Sequence, residues 1–174
     1  NHEIVISTTI GITFTPDDSQ DIVELFRNAD LALFSSKRDG KNRFSFFNIQ
    51  MQENVAHKLL REEQLRQAID KKEFFLTYQP IISLESRQVE KLEALLRWRH
   101  PENGEENPND YIDVAEETRL IIPIGYWVIA NVCQFINNQL RQGLKIVPIA
   151  INISVQQLKE EDFGKRVKGI IQST

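Results

Sequence analysis

Val89-Glu90-Lys91-Leu92-Glu93-Ala94-Leu95-Leu96-Arg97-Trp98 reads as a β-strand with two chemically different sides. Side chains on a strand alternate between faces. Leu92, Ala94, Leu96 and Trp98 therefore share one face, and Glu93, Leu95 and Arg97 share the other. Just before it, Phe74 to Ile82 is a second strand candidate, in which Phe74, Leu76 and Tyr78 oppose Phe75, Thr77 and Gln79. The connection from Ser83 to Gln88 is short, which predicts an antiparallel pair. A third strand is expected from Lys145 to Ser154, a stretch rich in β-branched residues. There Val147, Ile149, Ile151 and Ile153 face one way, and Pro148, Ala150, Asn152 and Ser154 the other.

Between these strands the polar stretch from His100 to Asp110 reads as loop, broken by Pro101, Gly104 and Pro108. Helices are expected over Tyr111–Leu120 and Ile124–Gln142. The second has an apolar face of Ile124, Val128, Val132, Phe135, Ile136 and Leu140, and Gly143 ends it. A final amphipathic helix is expected over Val155–Gln172, so the second half runs β-β-α-α-β-α. Upstream, residues 4–14 read as a strand in which Gly11 marks a bulge or a close backbone approach. Thr15 to Ser19 is a turn and helix start; Ile22, Leu25, Phe26, Ala29 and Leu33 recur at helical spacing, and Gly40 ends that helix. Arg43 to Phe47 is a short strand. A helix over 48–72 follows, with Met51, Val55, Leu59, Leu65 and Ile69 along it, and reads as a connector between two domains.

Composition narrows the function classes. The 174 residues are 41% hydrophobic and 26% charged, ordinary for a globular chain, and the net charge of −4 gives no general attraction to a nucleic acid polymer. One cysteine, Cys133, set among Val132, Phe135 and Ile136, reads as a small core residue in a reducing compartment. No apolar run approaches the roughly 18–20 residues of a membrane helix. The chain opens on Asn1 within a strand pattern, which predicts that it is part of something longer.

All three strands of the second half thus have an apolar side and a side ending in polar groups: Gln79, then Glu93 with Arg97, then Asn152. That is the pattern of barrel strands that carry a site at one mouth. A carboxylate and an amide oxygen are hard donors suited to Mg²⁺ or Mn²⁺, and an arginine beside them suits a phosphate. Blander roles compete at each position. A Glu on a half-exposed strand is ordinarily solvated, Asn152 suits a helix N-terminus, Ser154 is a good N-cap, and Gln79-Pro80 can simply end a strand.

Several passages then resemble one family in order and spacing. Tyr78-Gln79-Pro80-Ile81-Ile82, Glu93-Ala94-Leu95-Leu96-Arg97-Trp98, His100-Pro101, Ala115-Glu116-Glu117-Thr118, Leu120-Ile121 and Asn152-Ile153-Ser154 are similar to EAL domains. Thr9-Ile10-Gly11-Ile12, Asn28-Ala29-Asp30 through Lys37, and Gly40-Lys41-Asn42-Arg43 resemble the end of a GGDEF domain, with Phe34 and Lys41 where that family usually has Tyr and Arg. The resemblance implies an α/β fold: a partial TIM-like (β/α) barrel of EAL type with an antiparallel first strand, preceded by the α+β tail of a GGDEF domain. The implied division is residues 1–47 for the GGDEF tail, 48–72 for the connecting helix and 73–174 for the front half of the EAL domain.

The implied activity is metal-dependent hydrolysis of cyclic di-GMP to linear pGpG, in the cytoplasm. Glu93 and Asn152 would be metal ligands, Arg97 would bind a phosphate and Gln79 would contact the substrate. Lys37 would touch a nucleotide phosphate in the first part, though a cation in a last helical turn is equally explained by the helix dipole. Arg119 stands where the family usually has glycine, and Glu105-Glu106-Asn107 is more acidic than typical. The family's paired aspartates, its lysine base and its later ligands belong to strands beyond Thr174, so residues 1–174 alone are expected to bind metal weakly and not to turn over. A non-catalytic cyclic di-GMP receptor is the alternative class, and a homodimer through the 48–72 helix is compatible with either.

Overall fold

The computed structural model describes residues 6–174 and divides into two compact units, Asn1–Leu60 and Arg61–Thr174. In the first unit, β1 (Ile10–Ile12) pairs in parallel with β2 (Phe44–Phe46), and α1 (Ile22–Arg38) connects them. The strand expected over 4–14 is thus only three residues long; Ile4 and Val5 lie outside the described residues. Gly11 has the expected close approach, since a Cβ there would lie 2.0 Å from the Ala29 carbonyl oxygen and 2.3 Å from the Leu33 nitrogen. The helix begins later than the Pro16 turn suggests, because Asp21 caps it by accepting from the Val23 amide at 2.8 Å. Gly40, at φ +118°, follows its end.

Helix α2 (Ile49–Lys71) runs from the first unit into the second. In the second unit β3 (Phe74–Ile82) and β4 (Val89–His100) form the expected antiparallel pair, with Phe75 opposite Arg97 and Gln79 opposite Glu93. The other edge of β4 is shared. β6 (Ile149–Ile151) lies parallel to its first half, with Glu93 opposite Ala150, and β5 (Gly104–Glu106) lies antiparallel to its end. Three features differ from those the sequence predicts. The 100–110 stretch is not all loop, because Gly104, at φ +78°, turns the chain back so that β5 hydrogen-bonds to β4, and a 3₁₀ turn at Pro108–Asp110 follows. The third strand is confined to three residues. The final helix is broken into α5 (Val155–Leu158) and α6 (Phe163–Ser173).

The apolar faces meet as the alternation demands. Ala94 and Trp98 of β4 and Phe74 of β3 pack with Leu65 and Ala68 of α2, with Ala115 of α3 (Ile112–Glu117), and with Ile124, Val128 and Val132 of α4 (Ile121–Arg141). Leu140 is 57% exposed, so the apolar face of α4 ends sooner than its periodicity suggests. Cys133, expected in the core, is only half-buried, because it lies off that face. Val55 and Leu59 are likewise exposed, whereas Leu65 is fully buried. Arg119 adopts φ +63°, the conformation glycine takes without strain, and its guanidinium pairs with Glu160.

One ion pair lies inside this unit. Arg61 of α2 donates through both terminal nitrogens to the carboxylate of Glu106 on β5, its guanidinium sits 4.9 Å from the centre of the Trp98 ring, and Asn103 donates to Glu106 at 2.8 Å. Burial alone pushes the Glu106 carboxyl up. The hydrogen bonds from Asn103 and Arg61, with the charges of Arg61 and His100, outweigh it and hold the carboxyl below its ordinary range. A lowered folded value means that the pair stabilises the fold above about pH 4 and loses that contribution as the pH falls further. Glu106→Gln should cost about 3–5 kcal/mol by stranding the buried Arg61 charge, whereas Arg61→Met with Glu106→Met should be near neutral. Urea unfolding at neutral pH checks this; equal losses in single and double variants would contradict it.

Candidate functional site

Gln79 of β3, Glu93 and Arg97 of β4 and Asn152 just after β6 lie on one side of the sheet because the strand registers agree in parity. Gln79 is directly opposite Glu93, and Glu93 is directly opposite Ala150, so Asn152, two residues on, returns to the same face. The Asn152 amide donates from Nδ2 to Glu93 Oε1 at 2.8 Å. Arg97 is on the same face four residues further along β4, about 13 Å by strand rise. Its Nη1 donates to the Leu96 carbonyl at 3.1 Å, and its Nε lies 3.5 Å from Glu105 Oε1. Glu93 and Asn152 therefore meet directly, Gln79 joins them by register, and Arg97 stands at the end of the row where β4 runs toward β5. Lys37 lies in the first unit, exposed in the last turn of α1.

Asn152 does not cap the following helix. Ser154 does: its Oγ accepts from the Gln156 amide at 3.2 Å, and Gln157 Oε1 accepts from the Ser154 amide at 3.2 Å, completing a capping box. The same hydroxyl donates to Glu116 Oε1 of α3 at 2.7 Å. The chain just after Asn152 is thus held from two sides. Gln157 is 1% exposed and fits only because residue 125 is glycine, where a Cβ would fall 2.1 Å from Gln157 Nε2. A cavity of about 280 Å³ lies here, lined by Arg97, Asn152, Glu116, Ser154 and Gln157 among apolar residues. Gln79 and Glu93 do not line it. The supporting roles of Glu116 and Gln157 were not readable in the sequence, because nothing in the spacing shows that α3 reaches the turn after β6.

The Glu93–Asn152 pair suits a hard cation. Two groups already 2.8 Å apart can share an ion, and half a turn of the amide presents its oxygen in place of its nitrogen. The residues fit in type and in placement. Among the described residues no cluster of three or more His, Cys, Asp or Glu adds to them.

Residues 62–174 match the family described as the EAL domain, and the chain belongs to that family. Over 170 residues it is 38% identical to the bifunctional diguanylate cyclase/cyclic di-GMP phosphodiesterase MucR of Pseudomonas aeruginosa, a match covering 98% of this chain and 25% of that protein. It is 34% identical to the cyclic di-GMP phosphodiesterase PdeR of Escherichia coli over 170 residues, again 98% of this chain and 25% of that protein. A solved structure of the PaMucR phosphodiesterase in complex with c-di-GMP matches with a TM-score of 0.62 and 32% identity, over 66% of this chain and 46% of that one. The chain thus spans about a quarter of the length of these curated relatives.

Ser154→Ala removes both the helix cap and the bond to Glu116. Stability should fall by about 1–2 kcal/mol in urea unfolding. An unchanged midpoint would show that the turn after β6 is held by other means.

Proposed function

We propose that this chain belongs to a cyclic di-GMP phosphodiesterase and supplies its first metal donors and a phosphate-binding arginine. The observation that carries the reading is the direct contact of Glu93 with Asn152 across two strands, with Arg97 on the same face. Two phosphodiesterase relatives at 34–38% identity and a related structure holding c-di-GMP support the substrate class. Glu93 and Asn152 would hold Mg²⁺ or Mn²⁺. When bound, the ion supplies charge neutralisation at the phosphodiester and an acidified water. The Arg97 guanidinium, a planar fork of donors, binds a non-bridging phosphate oxygen, and Gln79 beside Glu93 contacts the substrate. The product on this reading is linear pGpG.

The same reading extends to the architecture. The antiparallel β3–β4 pair followed by a parallel β6, with α3 and α4 packed on one face, supports the start of a TIM-like barrel whose first strand is reversed. The match to a relative named as a diguanylate cyclase as well covers 98% of this chain, which supports a GGDEF tail ahead of the EAL part. Residues 1–47 would then be that tail, 48–72 the connecting helix and 73–174 the EAL part, which lies within the matched span of 62–174. Lys37 would then face a nucleotide phosphate. Val55, Leu59 and Leu60 of α2 are exposed, which supports a homodimer through this helix. No described helix is long and apolar enough to cross a membrane, and a cytoplasmic location accompanies this reading.

The test is turnover of cyclic di-GMP by the full-length protein with Mg²⁺ or Mn²⁺. Glu93→Gln should lower kcat on the order of a thousandfold, a loss of the size seen when one preorganised charge-stabilising group is removed. Arg97→Ala should weaken binding roughly ten- to a hundredfold, the worth of a charge-assisted hydrogen bond. Tight binding with no pGpG formed would favour the alternative, a receptor that does not cleave. Neither binding nor turnover would overturn both.

A further inference from the structure

β5 is only three residues long, yet it carries two adjacent glutamates that face opposite ways, as strand neighbours must. Glu106 is 8% exposed and turned inward onto Arg61 and Asn103. Glu105 is turned outward, its side chain 57% exposed, with Oε1 3.5 Å from Arg97 Nε. Its direct cross-strand partner is Arg99, but the Arg99 guanidinium lies 4.8 Å from the Phe75 ring centre. Glu105 instead reaches the diagonal neighbour Arg97, which lies on the same face of β4. A cavity of about 510 Å³, lined by Arg97, Glu105, Asn107 and Asn109 among others, opens beside this pair.

We infer that Glu105 is a positioning residue that occupies Arg97 when no ligand is bound and yields it to a phosphodiester. The inference rests on Arg97 as the phosphate-binding residue. The backbone under Glu105 is held in place, because the buried Arg61–Glu106 pair pins the same short strand from its other face. The grip of Glu105 on Arg97 is nevertheless weak, since an exposed carboxylate pair contributes little in water. A phosphodiester offers the guanidinium two oxygens in fork geometry and displaces it. Binding must therefore break the Glu105–Arg97 pair, which opposes it. Arg97 does not depend on Glu105 for its orientation alone, because the Leu96 carbonyl also holds it. Glu105 therefore lowers affinity for an anionic ligand and sets how much ligand the site needs.

The experiment is cyclic di-GMP titration calorimetry on the full-length protein without added divalent ion, for wild type, Glu105→Gln, Arg97→Ala and the double variant. Glu105→Gln should tighten Kd about two- to fivefold. The gain should vanish in the Arg97→Ala background, Glu105→Asp should restore wild-type binding, and thermal midpoints should not move with the Glu105 variants. An unchanged or weaker Kd in Glu105→Gln, or an equal gain in both backgrounds, overturns the inference while Arg97→Ala still loses affinity. Wild-type affinity in Arg97→Ala overturns the phosphate reading, and the inference with it.

Discussion

Strand β4 has two edges, and what pairs with each decides what every polar side chain of the site can reach. β3 takes one edge along its length, while β6 and β5 divide the other. Because side chains alternate, these registers bring Gln79, Glu93 and Asn152 to one face, and Asn152 then lies within hydrogen-bond distance of Glu93. A slip of one residue in either pairing would turn Glu93 into the core and Ala94 into solvent. Burial of Ala94, Trp98 and Phe74 on the opposite face makes that slip costly, so the hydrophobic pattern fixes the polar one.

The surroundings of the site divide into parts with different strength. Trp98, packed between Phe74, Tyr111 and the Arg61 guanidinium, ties β4 to α2. The Tyr111 hydroxyl is buried, and that burial pushes its acidity well below that of a free phenol, so it stays neutral. At the other end the Ser154 capping box and the Glu116 bond hold the segment that follows Asn152. Between these fixed points the side chains of Gln79 and Asn152 remain exposed, and those of Glu93 and Arg97 half-buried. A rigid frame thus presents groups that can still exchange partners, as a binding site requires.

The site strands were legible because period-two alternation and chemistry agreed along 74–82 and 89–98, and because Ser83–Gln88 is too short for anything but an antiparallel return. The parity of Asn152 was legible too, but its contact with Glu93 needed the β4–β6 register, which no local pattern contains. β5 was hidden by its own composition. Gly104-Glu105-Glu106 has no apolar residue, and its strand character comes from pairing with β4 and from Arg61, forty-five positions away from Glu106. The third strand was overestimated because β-branched residues continue on both sides of Ile149–Ile151 while the pairing does not. α5 and α6 read as one helix because the acidic break at Glu160-Glu161-Asp162 carries no Gly or Pro.

On the proposed function, the carboxylate of Glu93 and the amide oxygen of Asn152 share one divalent ion at a phosphodiester. This sharing is tested most directly by a crystal structure of the protein with Mn²⁺ and cyclic di-GMP, using anomalous scattering to locate the metal. An anomalous peak is expected at about 2.1 Å, a hard-cation distance, from both Glu93 and the Asn152 side-chain oxygen, with a phosphate oxygen on the same ion. A peak elsewhere, or a bound nucleotide with Asn152 still donating its Nδ2 to Glu93, would contradict it.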